Sequence, residues 1–154
     1  MSLVGIIGAM EEEVSQLKEQ MTDVQIKKKA AMEFCRGNLN GKPVVVVRSG
    51  IGKVNAGICA QILVDDYQVD YMINTGIAES LKNEINIGDI VVSTDTVQHD
   101  MDATGFGYPL GQIPRMDTLS FPADEKLVAL AQEVCREVIP EIQVFAGRVV
   151  SGDQ

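Results

Sequence analysis

Tryptophan is absent from this 154-residue chain, aromatic residues make up 5 % of it, and there is one histidine, His99. With 45 % hydrophobic residues and so few rings, the interior is expected to be aliphatic and of the α/β kind, in one domain spanning residues 1–154. A lone histidine without a Cys-x-x-Cys pair leaves zinc no plausible ligand set, and without a nucleophile-elbow motif Ser-His-Asp catalysis has little footing. Cysteines are also few. Cys35, Cys59 and Cys135 are odd in number and widely spaced, which excludes a disulfide framework and suits buried thiols in a reducing cytoplasm. Basic residues are outnumbered 13 to 22, giving a net charge of −9. That balance argues against nucleic acid and against an anionic membrane, and fits a neutral or cationic small molecule. The one basic run, Lys27-Lys28-Lys29, is expected in a solvated turn. No run reaches transmembrane length and no basic segment precedes the first apolar run, so a cytoplasmic location is expected.

What is present begins with Leu3-Val4-Gly5-Ile6-Ile7-Gly8-Ala9-Met10-Glu11-Glu12-Glu13-Val14. A short apolar run reads as a buried strand, and Gly8-Ala9 permits a tight turn into a helix whose first turn carries three carboxylates. Helix N-termini attract anions, so a bound phosphate would meet repulsion from these acids. The spacing Gly5-x-x-Gly8 also misses the Gly-x-Gly-x-x-Gly dinucleotide fingerprint. Two readings of the acids stand open. They complement the helix dipole at about 0.3–1 kcal/mol each, or one of them turns back over the strand end as a base or ligand.

Periodicity predicts strands near 3–8, 32–38, 43–48, 70–74, 88–95 and 144–150, with helices near 11–20, 53–66 and 123–138. Asn40-Gly41 predicts a hairpin between the second and third strands. Val54, Ile58, Ile62 and Leu63 are expected to form the buried face of one helix, and Leu127, Leu130, Val134 and Val138 that of another, with Pro122 at its start. Alternating strands and helices imply a three-layer α/β/α sandwich with a central mixed, largely parallel sheet and one antiparallel hairpin. Ligands of open α/β sheets bind beyond the carboxyl ends of the strands. Four small-residue loops would gather there: residues 8–13, 49–53, 74–80 and 151–153.

At this point the residues resemble the 5′-methylthioadenosine/S-adenosylhomocysteine nucleosidases of the nucleoside phosphorylase superfamily. The matching stretches are GIIGAMEEEV at 5–14, RSGIGKVNA at 48–56, NTGIA at 74–78, IGDIVVSTDTVQHDMDATGFGY at 87–108, GQIP at 111–114 and VVSGD at 149–153. The resemblance implies a nucleoside phosphorylase-like fold and hydrolysis of an N-glycosidic bond that releases adenine from small-molecule adenosine derivatives, with no metal and no organic cofactor. Glu13 is similar in position to the family's catalytic glutamate, which activates the attacking water. Met10 and Ile51 resemble residues around the ribose and alkylthio group, and Ala78 the loop beside the base and the water. Phe106 and Pro114 resemble residues that cross a homodimer interface to line the partner's site. Each also has a plainer reading: Met10, Ile51 and Phe106 as core, Pro114 as a loop proline, and His99-Asp100 as a satisfied polar pair.

Two departures from the family pattern stand out. Ile77, Glu79 and Ser80 replace a serine and a Gly-Gly pair, and a carboxylate at Glu79 close to Glu13 would raise the pair's apparent pKa. The resemblance also implies that family chains run on past the position of Gln154, through groups that grip the base and ribose and protonate adenine. The expectation is therefore of an N-terminal majority that is catalytically silent alone. Two other readings remain beside it, a phosphorolytic relative and a non-catalytic domain that binds nucleosides or dimerises.

Overall fold

The run Val4-Gly5-Ile6-Ile7-Gly8 forms strand β1 (Val4–Gly8), and the three acids after it open helix α1 (Glu11–Glu19) in a computed structural model that describes residues 2–153. Strands β2 (Thr22–Lys29), β3 (Met32–Leu39) and β4 (Lys42–Arg48), helix α2 (Lys53–Tyr67) and β5 (Tyr71–Asn74) follow. They make one compact unit ending at Ala78; a second begins at Glu79. In the first unit the sheet runs β2-β3-β4-β1-β5. Its β1–β4 and β1–β5 ladders are parallel and its β2–β3 and β3–β4 ladders antiparallel. The sheet is mixed as expected, with a larger antiparallel share than one hairpin supplies.

Alternation along the strands sorts the core onto two faces. Ile7, Val45, Val47 and Phe34 pack with Cys59, Ile62 and Leu63 of α2, while Ile6, Val44, Val46 and Cys35 pack with Val14 of α1. Helices therefore cover opposite faces, and this unit is a three-layer sandwich. Val45, Val46, Val47 and Leu63 are completely buried, each contributing about 1.5–3 kcal/mol of burial free energy. Asn40 and Gly41, at φ 49° and 75°, form the two-residue hairpin turn between Leu39 and Lys42.

The second unit has β6 (Ile90–Gln98), β7 (Phe121–Pro122), helix α3 (Glu125–Val138) and β8 (Val144–Ser151). Its sheet runs β7-β6-β8, with β6–β8 parallel and β6–β7 antiparallel. The register slips between Ser93 and Asp95, and the carbonyl of Thr94 at that bulge accepts the Ala123 N–H at 2.9 Å. Among the described residues no helix is long and apolar enough to cross a membrane.

Three expectations are corrected. Lys27, Lys28 and Lys29 lie in strand β2, not in a turn. All eight residues of β2 are exposed, so the short Val24–Ile26 alternation in its sequence marks no buried face, and its lysines suit an edge that must not recruit another strand. The buried face of α2 is Cys59, Ile62 and Leu63, whereas Val54 and Ile58 are exposed; on α3, Leu130, Val134 and Val138 are exposed as well. Pro122 closes β7 and does not start α3. That helix is capped by Asp124, whose Oδ1 accepts the N–H groups of Lys126 and Leu127 at 2.9 and 3.0 Å.

Candidate functional site

Parallel pairing brings three strand exits together in the first unit. Beyond β4 the Ser49 N–H donates to the Gly8 carbonyl at 2.9 Å, and beyond β5 the Thr75 N–H donates to the Ile7 carbonyl at 2.9 Å. The loops at 8–13, 49–53 and 74–78 thus leave the sheet side by side. Gly50 and Gly52, at φ 87° and 99°, take left-handed conformations that admit glycine readily. They turn the chain into α2, where the Asn55 side-chain amide donates to the Ile51 carbonyl at 2.7 Å.

The three acids of α1 separate sharply. Glu11 faces outward and pairs with Lys18 at 2.7 Å and Arg48 at 3.7 Å, and Glu12 is exposed. Such pairs contribute at most about 1 kcal/mol. Glu13, partly buried, turns back over the strand ends. Its Oε2 accepts the Met10 N–H at 2.9 Å, one half of a capping box, and its Oε1 accepts the Ile77 N–H at 3.1 Å. Two glycines make room for it. A Cβ on Gly8 would lie 2.6 Å from Val14 Cγ1 and 3.1 Å from Glu13 Cβ, and one on Gly76 would lie 2.5 Å from Glu13 Oε1. The result is a carboxylate fixed by two backbone donors at the carboxyl ends of parallel strands, where an α/β sheet receives a ligand.

Met10, Glu13, Ile51 and Ala78 all lie in the loops at this edge. Met10 is half-buried and forms the N-cap of α1, Ile51 is 74 % exposed, and Ala78 is exposed just beyond the Ile77 amide. The exposure of Ile51 sets aside its reading as a core residue.

Phe106 and Pro114 belong to the second unit. Phe106 closes a single 3-10 turn (Thr104–Phe106) that is started by Asp102, whose Oδ1 accepts both the N–H and the hydroxyl of Thr104. At 88 % exposure the ring is not part of a core. Pro114 is also exposed. The Arg115 N–H beside it donates to the Tyr108 hydroxyl at 3.2 Å, and Gly111 donates to the Met101 carbonyl at 2.8 Å, so this loop is folded on itself. At the end of β8 the carbonyl of Ser151 accepts the His99 N–H at 3.0 Å, Asp100 accepts the Asp153 N–H at 2.8 Å, and Gly152 packs directly on the His99 ring. His99 and Asp100 are thus a brace for the 151–153 loop. An open hollow lined by Thr94, Asp95, Ser120 and Arg148 also lies in this unit. Its Arg148 is committed to Asp95 through three hydrogen bonds of 2.6–3.1 Å, which hold the Asp95 carboxyl below its usual range.

Sequence reasoning passed over Gly76 and the Ile77 amide. The stretch Asn74-Thr75-Gly76 carried the signal, a glycine just past a strand end, but only a carboxylate arriving from residue 13 gives that glycine a purpose.

Both the sequence and the fold have known relatives. The sequence model of the phosphorylase superfamily matches residues 3–154. A 5′-methylthioadenosine/S-adenosylhomocysteine nucleosidase of Staphylococcus carnosus is 46 % identical over 151 residues, covering 98 % of this chain and 65 % of that protein. The crystal structure of such a nucleosidase from Colwellia psychrerythraea, in complex with adenine, superposes with a TM-score of 0.95 at 42 % identity, covering 99 % of this chain and 63 % of that one. One from Neisseria meningitidis, in complex with methylthio-immucillin-A, gives 0.95 at 37 % identity, covering 100 % and 66 %. The chain spans just under two thirds of the length of the curated relatives it matches.

Proposed function

The chain belongs to the phosphorylase superfamily, and from that premise we propose that the protein carrying it hydrolyses the N-glycosidic bond of 5′-methylthioadenosine and S-adenosylhomocysteine, releasing adenine. The observation that carries this reading is the Glu13 carboxylate, held over the strand ends by the amides of Met10 and Ile77. An ionised carboxylate has about four lone-pair positions. Two are taken by these amides, and the remainder can accept a water O–H. As that water attacks the anomeric carbon, Glu13 takes its proton, the C–N bond breaks, and its electron pair leaves with adenine, which takes up a proton from solvent, to which Glu13 later returns its own. General-base assistance of this kind contributes roughly 10²–10⁴ in rate. Phosphate is a poor competitor for the water, because a fixed negative charge at the strand ends repels it. Chemistry of this form requires neither metal nor organic cofactor.

Met10 and Ile51 then face the ribose and alkylthio group, and Ala78 lies along the base and the water. Phe106 and Pro114 reach across a homodimer to the partner's alkylthio pocket; the exposure of Phe106 supports this, since a ring left in water is a natural interface group. The free, partly buried thiols support a reducing, cytoplasmic location.

Glu13→Gln tests the assignment, keeping shape while removing the base. Adenine release by the protein carrying these residues should fall about 10²–10⁴-fold, with calorimetric affinity for methylthioadenosine kept within a few fold. Unchanged turnover would remove Glu13 from the mechanism, and release that depends on added phosphate would assign the protein to the phosphorolytic branch. Light scattering should give a dimer at micromolar concentration, and Phe106→Ala should raise KM for methylthioadenosine; a monomer would overturn the shared site.

A further inference from the structure

We infer that Gly76 is a positioning residue for Glu13, and that the carboxylate alone is the reason this position is glycine. The inference rests on the reading above, in which Glu13 activates the water. A Cβ built on Gly76 meets Glu13 Oε1 at 2.5 Å, Glu13 Cδ at 2.9 Å and Glu13 Oε2 at 3.3 Å. Its three nearest neighbours are therefore all atoms of one carboxylate. Backbone conformation does not demand glycine here, because Gly76 lies outside the left-handed region occupied by Gly50 and Gly52. Nor does the core demand it.

The contrast with other glycines sharpens the point. A Cβ on Gly8 would strike Val14, a completely buried side chain, and one on Gly37 would strike the backbone carbonyl of Thr22 at 2.6 Å. Substitution at either disturbs the fold. At Gly76 the obstacle is the free end of a flexible side chain, which can swing away at little cost to stability. What it cannot do is swing away and keep its aim. Leaving residue 76 pulls Oε1 from the Ile77 N–H, one of the two donors that fix it, while the Cβ of Glu13 stays anchored against Gly8. Displacement of a catalytic group by about 1 Å can cost 10²-fold in rate. Gly76 thus converts a mobile glutamate into an aimed one by having no side chain.

Gly76→Ala is the test, measured alone and in the Glu13→Asp background, where the acid is one methylene shorter and clears the new methyl group. Expected are a melting temperature within about 2 °C of the parent, kcat lowered about 10²-fold with KM within threefold, and a loss below threefold when the same change is made in the Glu13→Asp background. Equal losses in both backgrounds, or a parent-like kcat in Gly76→Ala, would overturn the inference. A second readout is independent of turnover. In the parent the NMR chemical shift of the Ile77 amide proton should change on Glu13→Gln, because the two are hydrogen-bonded, and in Gly76→Ala the same substitution should leave it unchanged; a retained response would refute the positioning role. If the parent releases no adenine while the Ile77 amide still reports Glu13 in this way, the proposed function fails and the positioning of the carboxylate stands.

Discussion

In the first unit helices lie on both faces of the sheet and Val44 to Val47 are buried one after another, whereas the second has one helix, α3, on which no side chain is buried. Among the described residues the buried hydrophobics of the second unit are Val97 and Ala103. Both units nonetheless carry helices with apolar residues at three- and four-residue spacing. Periodicity reveals that a helix has an apolar face; only packing reveals what covers it. The buried core therefore concentrates in the first unit, where Glu13 of α1 reaches back over the strand ends, while the second leaves rings and loops exposed.

A matched pair of truncations separates the two units most widely. Leu63→Ala, in the core under α2, should cost about 3–5 kcal/mol in denaturant unfolding, whereas Leu130→Ala on α3 should stay within about 0.5 kcal/mol. Similar losses at both sites would mean that the stripe of Leu130, Val134 and Val138 is covered in solution. The thiols give a second contrast. Burial pushes the Cys59 thiol up to about 11, so its labelling at neutral pH should await unfolding, while the half-buried Cys135 labels in the folded protein. Because the folded value exceeds the ordinary value of 9.0, the neutral form stabilises the fold fully below pH 9 and this contribution is lost as pH rises toward 11. Unfolding curves taken between these limits should show the decline in the parent and a shallower one in Cys59→Ala. The smallest effect lies at the β2–β3 turn, where Ala30 and Ala31 sit at φ 50° and 60°. Left-handed conformations cost alanine about 1–2 kcal/mol, so Ala31→Gly should raise stability by roughly 0.5–1 kcal/mol after glycine's own entropic cost. A drop would show that the turn is held by something other than its backbone.

Strand and helix positions were readable wherever hydrophobicity and turn chemistry agreed. β1, β4 and the Asn40-Gly41 hairpin are plain in the chain because Val and Ile runs end at residues that can turn. β2 was not, since its alternation is confined to Val24 and Ile26, runs straight into three lysines, and buries no residue. At the site, the motifs around Glu13 and Ile51 were legible as small-residue loops after strands. The reach of the carboxylate to the Ile77 amide, 64 residues away in sequence, was not, because it depends on three-dimensional register. Likewise Asp124 as the cap of α3 could not be told from Pro122 until the short strand β7 claimed the proline.

The strand order of the first unit also sets a timetable. β1 lies between β4 and β5, so a strand made before both of its neighbours must wait for Val44–Arg48 on one side and Tyr71–Asn74 on the other. A further tie beside it, from the Leu3 N–H to Asp70, spans 67 residues. At 5–20 residues per second that wait is roughly 3–13 s. The β2-β3-β4 meander pairs strands neighbouring in sequence and can form meanwhile. Until β5 is made, β1 lacks a partner on one side and Glu13 lacks the Ile77 amide that holds it. The hold on Glu13 thus waits on an amide made 64 positions later in the chain.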